Sequence, residues 1–176
     1  MVEVQRAVET ELDRIAPVID DLGRRFNEAG HELALVGGPV RDAMLGRAHN
    51  DLDFTTSALP EETERILKPW GDALWDMGRD FGTIGCRKGE WVVEVTTYRS
   101  EVYDTSSRKP EVAYGDSLDG DLVRRDFTVN AMAVRVPGRV LEDPYGGVVD
   151  LAHRVLRTPG RPEDSFSDDP LRMMRA

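Results

Sequence analysis

The stretch from Leu33 to Thr56 reads LALVGGPVRDAMLGRAHNDLDFTT. Its first four residues, Leu33 to Val36, are apolar and predict a short buried strand. Gly37-Gly38 breaks that strand, Pro39 suits the first turn of a helix, and Val40 to Leu45 can continue the helix until Gly46. Asp51 to Thr56 predicts a second strand, with Asp51 and Asp53 on one face and Leu52 and Phe54 on the other. A glycine pair lets backbone approach a phosphate closely, and the free N–H groups at a helix start attract anions. Arg41 adds a charged fork one turn in. Two carboxylates on one strand face can hold a divalent cation that keeps water and substrate phosphates among its ligands, as Mg²⁺ does. A glycine turn is usually only a turn, and an isolated Asp-x-Asp is usually solvated. Side by side, each supplies the partner that the other needs.

Upstream, Val8, Leu12, Ile15, Ile19, Leu22 and Phe26 recur at steps of four and three, the stripe of an amphipathic helix. Pro17 falls inside the stripe and is expected to kink or split it; Asn27 to Gly30 is the expected stop. Downstream, Pro60 to Leu67 predicts a helix, and Ala73 to Met77, Thr83 to Arg87 and Glu90 to Tyr98 predict strands. Glu101 to Gly120 is polar and reads as a mobile loop of the functional kind. Ala131 to Val136 and Arg139 to Leu141 read as a hairpin across Pro137-Gly138. Strands dominate the middle and helices the ends, which predicts an α+β domain with a mixed sheet covered by helices on one face, not a βαβ repeat.

The 176 residues are 40% hydrophobic and 32% charged, enough for one globular domain with a second begun. Cys86 stands alone, so no internal disulfide forms, and His31, His49 and His153 have no metal-ligand spacing. No apolar run approaches the roughly 20 residues of a membrane span, and the Met1 end lacks a signal-peptide pattern; a cytoplasmic protein with no membrane partner is expected. The net charge of −10 argues against a chain that coats nucleic acid with a basic surface. The excess is confined to residues 1–120, since residues 121–176 balance nine Arg against nine acids. Arg outnumbers Lys by 20 to three, which suits bidentate recognition of phosphates and bases, but codon bias is the weightier explanation, so Arg carries an argument only where its position is specific.

Three further segments carry candidate chemistry. Glu94 lies within the β-forming run Trp91 to Tyr98 and is either a third carboxylate beside Asp51 and Asp53 or an acid on an edge strand facing water. Three such carboxylates suit a two-metal phosphoryl site. In Arg124-Arg125-Asp126-Phe127-Thr128-Val129-Asn130, Arg125 can meet phosphate or ribose, and Asp126 and Asn130 can bond sugar hydroxyls or loop backbone. In Asp168-Asp169-Pro170-Leu171-Arg172-Met173-Met174-Arg175, an Asp can cap a helix started by Pro170, which sets Asp169, Arg172 and Arg175 on one face.

Taken in order, LVGGPVRDAMLG, DLDFTT, VEVTTYR, RRDFTVNAMA, DPYGGVVDL and DDPLRMMRA closely resemble the head domain and the start of the neck of class II tRNA nucleotidyltransferases, the CCA-adding enzymes, whose relatives include bacterial poly(A) polymerases. The resemblance spans residues 33–176. It implies a polymerase-β-like nucleotidyltransferase head over 1–150 and the start of a helical neck over 151–176, with the neck continuing past Ala176. It implies that Asp51 and Asp53 bind Mg²⁺, with Glu94 the third catalytic acid. Gly37, Gly38 and Arg41 would hold the triphosphate, Arg125 would touch the nucleotide, and Asp126 and Asn130 would lie near the ribose. Asp169 and Arg172 would read the base, and Arg175 would meet the nucleotide or the primer end. The stretch Glu101 to Gly120 would take part in switching between CTP and ATP. The implied reaction is addition of C and A to the tRNA 3′ end from CTP and ATP, releasing pyrophosphate. A poly(A) polymerase, an A-only or C-only enzyme, and a nucleotide-binding fragment without catalysis are the alternatives.

Overall fold

The computed structural model describes residues 2–100 and 113–176. Helices α1 (Val2–Arg14) and α2 (Ala16–Glu28) divide the first apolar stripe at Ile15, because Pro17 in the first turn of α2 has no N–H to continue the ladder. There follow β1 (Leu33–Val36), α3 (Gly38–Met44), β2 (Asp51–Thr56), α4 (Pro60–Leu67), β3 (Ala73–Trp75), β4 (Thr83–Lys88) and β5 (Trp91–Thr97). The remainder holds α5 (Leu118–Val123), β6 (Ala133–Val136), β7 (Val140–Glu142), α6 (Gly147–His153), α7 (Pro162–Asp168) and α8 (Arg172–Arg175).

The seven strands form one sheet in the order β3-β4-β5-β2-β1-β6-β7. β2 and β5 run parallel; every other neighbouring pair is antiparallel, so the sheet is mixed, as the sequence predicts. Side-chain alternation gives it two unlike faces. Leu35, Leu52, Phe54, Ile84, Val93 and Val95 pack against Ile15, Ile19, Leu22 and Phe26 and against Leu67 in one continuous core. Each of these side chains contributes about 1.5–3 kcal/mol on full burial, so this face holds the sheet. The other face carries Asp51, Asp53, Arg87 and Glu94, all exposed. Among the described residues only its end is covered, where Leu118 and Leu122 of α5 pack on Ala34, Val36 and Tyr98.

Several boundaries differ from those the sequence predicts. β3 stops at Trp75 rather than Met77. Residues 101–112 of the expected loop lie outside the described residues. Beyond them, Tyr114 bridges to Arg99 and α5 begins at Leu118, capped by the Ser117 hydroxyl on Gly120 N–H, so the end of the expected loop is ordered. α6 and α7 have no counterpart in the sequence reading, because a Gly-Gly start and a polar composition hide them. The helix expected from Pro170 begins at Arg172, with Asp169 Oδ1 accepting from Leu171 N–H at 3.0 Å. Among the described residues no helix is long and apolar enough to cross a membrane.

Candidate active site on the open sheet face

The parallel pairing of β2 with β5 sets Asp53 directly opposite Glu94. Partners in a ladder share a face, so Asp51, Asp53 and Glu94 stand together on the open side. The structure sets Glu94 beside Asp51 and Asp53 and not on an edge: β5 is an interior strand, and the residue is exposed because the open face admits water. Asp53 is exposed at its surface, yet the surrounding protein partly desolvates its carboxylate. That desolvation raises its carboxyl above the ordinary range, with Arg125 opposing the shift and Asp51 adding to it. Glu94 is raised by desolvation and then by the charges of Asp53 and Asp51. Mutual repulsion of this kind is what a bound cation relieves. Among the described residues no three His, Cys, Asp or Glu side chains converge as a complete ligand set. An ion held by Asp51 and Asp53 would have to draw its further oxygens from water and substrate, which a hard divalent cation accepts.

Beside this row is an anion cradle. Gly37 ends β1 with φ of 70°, a backbone state that L side chains rarely adopt, and α3 starts at Gly38. A Cβ at Gly37 would lie 3.5 Å from Arg125 Nη1, and one at Gly38 would lie 3.8 Å from Arg41 Nη2. Two guanidinium groups thus flank a pair of bare glycines next to the carboxylates. Arg41 is held on both sides: Nε donates to Asp42 Oδ1 at 2.8 Å and Nη1 to Asn130 Oδ1 at 2.8 Å. Burial pushes the Asp42 carboxyl up, but its hydrogen bonds with Arg41 and His49 outweigh burial and leave it low.

From Arg41 the bonds continue toward the chain end. Asn130 Nδ2 donates to Asp126 Oδ1 at 3.0 Å, and that oxygen also accepts from Phe127 N–H at 2.8 Å. Arg175 Nε lies 3.5 Å from Asp126 Oδ2, while Arg175 Nη2 donates to Asp169 Oδ2 at 2.9 Å. Arg41, Asn130, Asp126, Arg175 and Asp169 are therefore one chain of contacts. Arg172 takes another direction: Nη1 donates to Ser165 Oγ at 2.9 Å and Nη2 to the Arg124 carbonyl at 2.9 Å, fastening α8 to the end of α5.

The sequence reading gave no role to Asp121, which the structure places behind the cradle as the anchor of Arg125, or to Arg99, whose backbone N–H meets it. Asp121 is fully buried; Oδ1 accepts from Arg124 Nη2 at 2.9 Å and from Arg99 N–H at 3.1 Å, and Oδ2 accepts from Arg125 Nη2 at 3.0 Å. Burial pushes its carboxyl up, yet the Arg125 and Arg124 charges prevail and hold it below the ordinary range. Two guanidinium groups, those of Arg124 and Arg125, bond this one carboxylate, while Arg99 reaches it through its backbone N–H and turns its guanidinium to the Phe81 carbonyl; the Nε atoms of all three are buried with no partner among the described residues. The spacing of Asp121 from Arg124 and Arg125, three and four residues, was the available signal. Helix α1 also reaches the site: Glu11 Oε1 accepts from His49 N–H at 3.2 Å, and Arg14 donates to the His49 carbonyl and, at 2.9 Å, to Asn50 Oδ1.

The profile of the Poly A polymerase head domain matches residues 33–157. The CCA-adding enzyme of Bacillus subtilis strain 168 is 44% identical over 150 residues, covering 85% of this chain and 36% of that one. The CCA-adding enzyme of Bacillus velezensis is 41% identical over 170 residues, covering 96% of this chain and 41% of that one. Among solved structures, Bacillus stearothermophilus CCA-adding enzyme in complex with CTP superposes with a TM-score of 0.76 at 36% identity, over 88% of this chain and 36% of that one. Thermotoga maritima CCA-adding enzyme complexed with tRNA-CCA gives a TM-score of 0.76 at 29% identity, over 98% and 39%. The chain thus spans about two fifths of the length of these relatives.

Proposed function

We infer, for a chain that belongs to the Poly A polymerase head domain family, that it is the catalytic head of a template-independent RNA nucleotidyltransferase working in the cytoplasm. The reaction is addition of C and A to the 3′ end of tRNA from CTP and ATP, with release of pyrophosphate. The observation that carries this reading is the pairing of Asp53 with Glu94 on an open sheet face beside a glycine pair flanked by Arg41 and Arg125. The names of the relatives support the substrates.

In this reading Asp51 and Asp53 hold Mg²⁺, which when bound neutralises phosphate charge and favours ionisation of the attacking hydroxyl. Gly37 and Gly38 leave room for the triphosphate, and Arg41 and Arg125 neutralise its charge from fixed positions. Asp126 and Asn130 present an acceptor and a donor to the ribose, and Glu94 completes the acidic row on the acceptor side. Asp169 and Arg172 read the base, and Arg175 steadies Asp169. Arg172 commits part of its donor fork to Ser165 and the Arg124 carbonyl, which couples base choice to the seat of α8. Residues 151–176 form the start of the neck that carries this function.

The test is incubation of the full chain with tRNA lacking its CCA end and with each nucleotide in turn. Ordered addition of two C and one A supports the reading, and Asp53→Ala abolishes it. Long A tracts point instead to a poly(A) polymerase, and CTP binding without transfer to a nucleotide-binding fragment.

A further inference from the structure

The cross-strand register that pairs Asp53 with Glu94 continues across the sheet: Glu94 lies opposite Gly85 on β4, and Gly85 opposite Trp75 on β3. All four positions share the open face. The Trp75 indole lies directly on Gly85, where a Cβ would overlap its Nε1 and Cε2 atoms. A glycine inside a strand marks a close approach of this kind. The ring is half-exposed, and its Nε1–H has no acceptor among the described residues. The other two tryptophans are engaged: Trp70 donates to Asp21 Oδ2 at 2.9 Å with Lys88 over its ring, and Trp91 lies under Arg14. Two residues beyond Gly85 on the same face is Arg87, exposed and without a hydrogen bond or ion pair for its side chain among the described residues.

The flank on which Trp75 stands matters. Gly37 and its two arginines lie at β1, on one side of the carboxylates; Trp75 and Arg87 lie on β3 and β4, on the other. In-line transfer requires the attacking hydroxyl and the leaving pyrophosphate on opposite sides of the reacting phosphorus. With the triphosphate on the β1 side, the acceptor strand enters from the β3–β4 side. At a strand spacing of about 4.8 Å, Gly85 is about 10 Å from Asp53, a short step for a single-stranded RNA end. Bases of any identity stack on an aromatic face, and Arg neutralises the backbone.

We propose that Trp75 is the stacking platform for a base at the 3′ end of the acceptor RNA and that Arg87 contacts a phosphate of the same strand. The proposal rests on reading the site as one of nucleotidyl transfer to RNA.

The test is fluorescence anisotropy with the full chain and a labelled RNA hairpin ending in an unpaired 3′ strand, beside a CTP-transfer assay on the same hairpin. Trp75→Ala weakens RNA binding at least about five-fold and raises the KM for RNA but not for CTP. Trp75→Phe and Trp75→Leu both cover Gly85, but only Phe stacks, so Phe binds RNA more tightly than Leu. Arg87→Gln lowers the slope of log K against log salt by about 0.7. Equal affinities of the Phe and Leu variants, or a folded Trp75→Ala protein that binds like the wild type, overturn the platform; an unchanged salt slope overturns the Arg87 contact. Transfer with binding indifferent to Trp75 overturns this proposal alone. Trp75-dependent binding without any transfer supports it and overturns the proposed reaction instead.

Discussion

Replacing Asp121 by Asn tests whether the cation surplus at the cradle is organised by one buried carboxylate. Asp121 is 0% exposed and takes donors from Arg99, Arg124 and Arg125. Asn keeps one acceptor oxygen but turns its NH₂ toward a guanidinium and leaves the surplus positive charge unopposed. Removing one partner of a buried ion pair costs about 3–5 kcal/mol. The Arg124 and Arg125 side chains are each 21% exposed and recover some hydration, so the low end, about 3 kcal/mol, applies. In a unit of this size 1 kcal/mol is worth roughly 2–4 °C, giving a fall of about 6–12 °C in Tm at pH 7. Arg125 also loses the anchor that holds it beside Gly37, and loss of one charge-assisted contact raises the KM for CTP about ten-fold. Circular-dichroism melts and steady-state CTP incorporation well below either midpoint measure the two effects. The pH dependence supplies a control. Because Asp121 is held low in the folded protein, its stabilisation is full above the ordinary carboxylate value of about 3.9 and is lost as pH falls through the lower folded value. Asp121→Asn therefore lacks this acid-side loss. A Tm shift under about 2 °C, or an unchanged KM for CTP, refutes the reasoning.

Asp53→Asn should abolish transfer while keeping the metal-free Tm equal to or above that of the wild type, and Mg²⁺ should raise the Tm of the wild type only; a cooperative melt well below the wild type would contradict this. Since Asp53 and Glu94 are both raised, protons compete with the cation above the ordinary carboxylate range, so Mg²⁺ affinity should climb with pH through that window; an affinity constant from pH 4.5 to 7 would argue against the assignment. Arg14→Ala releases the loop before Asp51 and should lower kcat more than it raises the KM for CTP; equal effects would assign α1 a purely structural part. Exchanging Asp169 and Arg172 should change the preference between CTP and ATP, measured as the ratio of kcat/KM, and an unchanged ratio would remove them from base reading.

The parts of the fold that were legible in sequence are those governed by local rules. Asp51 to Phe54 alternates cleanly because one face of β2 meets the core, and Pro17 splits the first stripe for a local steric reason. α5 escaped notice because only Leu118 and Leu122 mark its buried side, within Asp and Gly. The site was legible wherever a motif is contiguous, as at Gly37 to Asp53. Trp75 and Arg87 were not, because their relation to Asp53 exists only through three strand pairings that no local pattern encodes. Asp121 lay between these cases: its helical spacing from two arginines was visible, but its burial was not.

The row from Asp53 to Trp75 makes the sheet a ruler. Three strand spacings, about 14 Å in all, are set by backbone hydrogen bonds and not by the side chains that stand on them. A lineage can therefore exchange the residue at position 75, or uncover Gly85, and so change how an incoming strand is gripped while the distance from grip to chemistry stays constant. Acceptor preference and catalytic geometry become separately adjustable, one residue against a whole sheet.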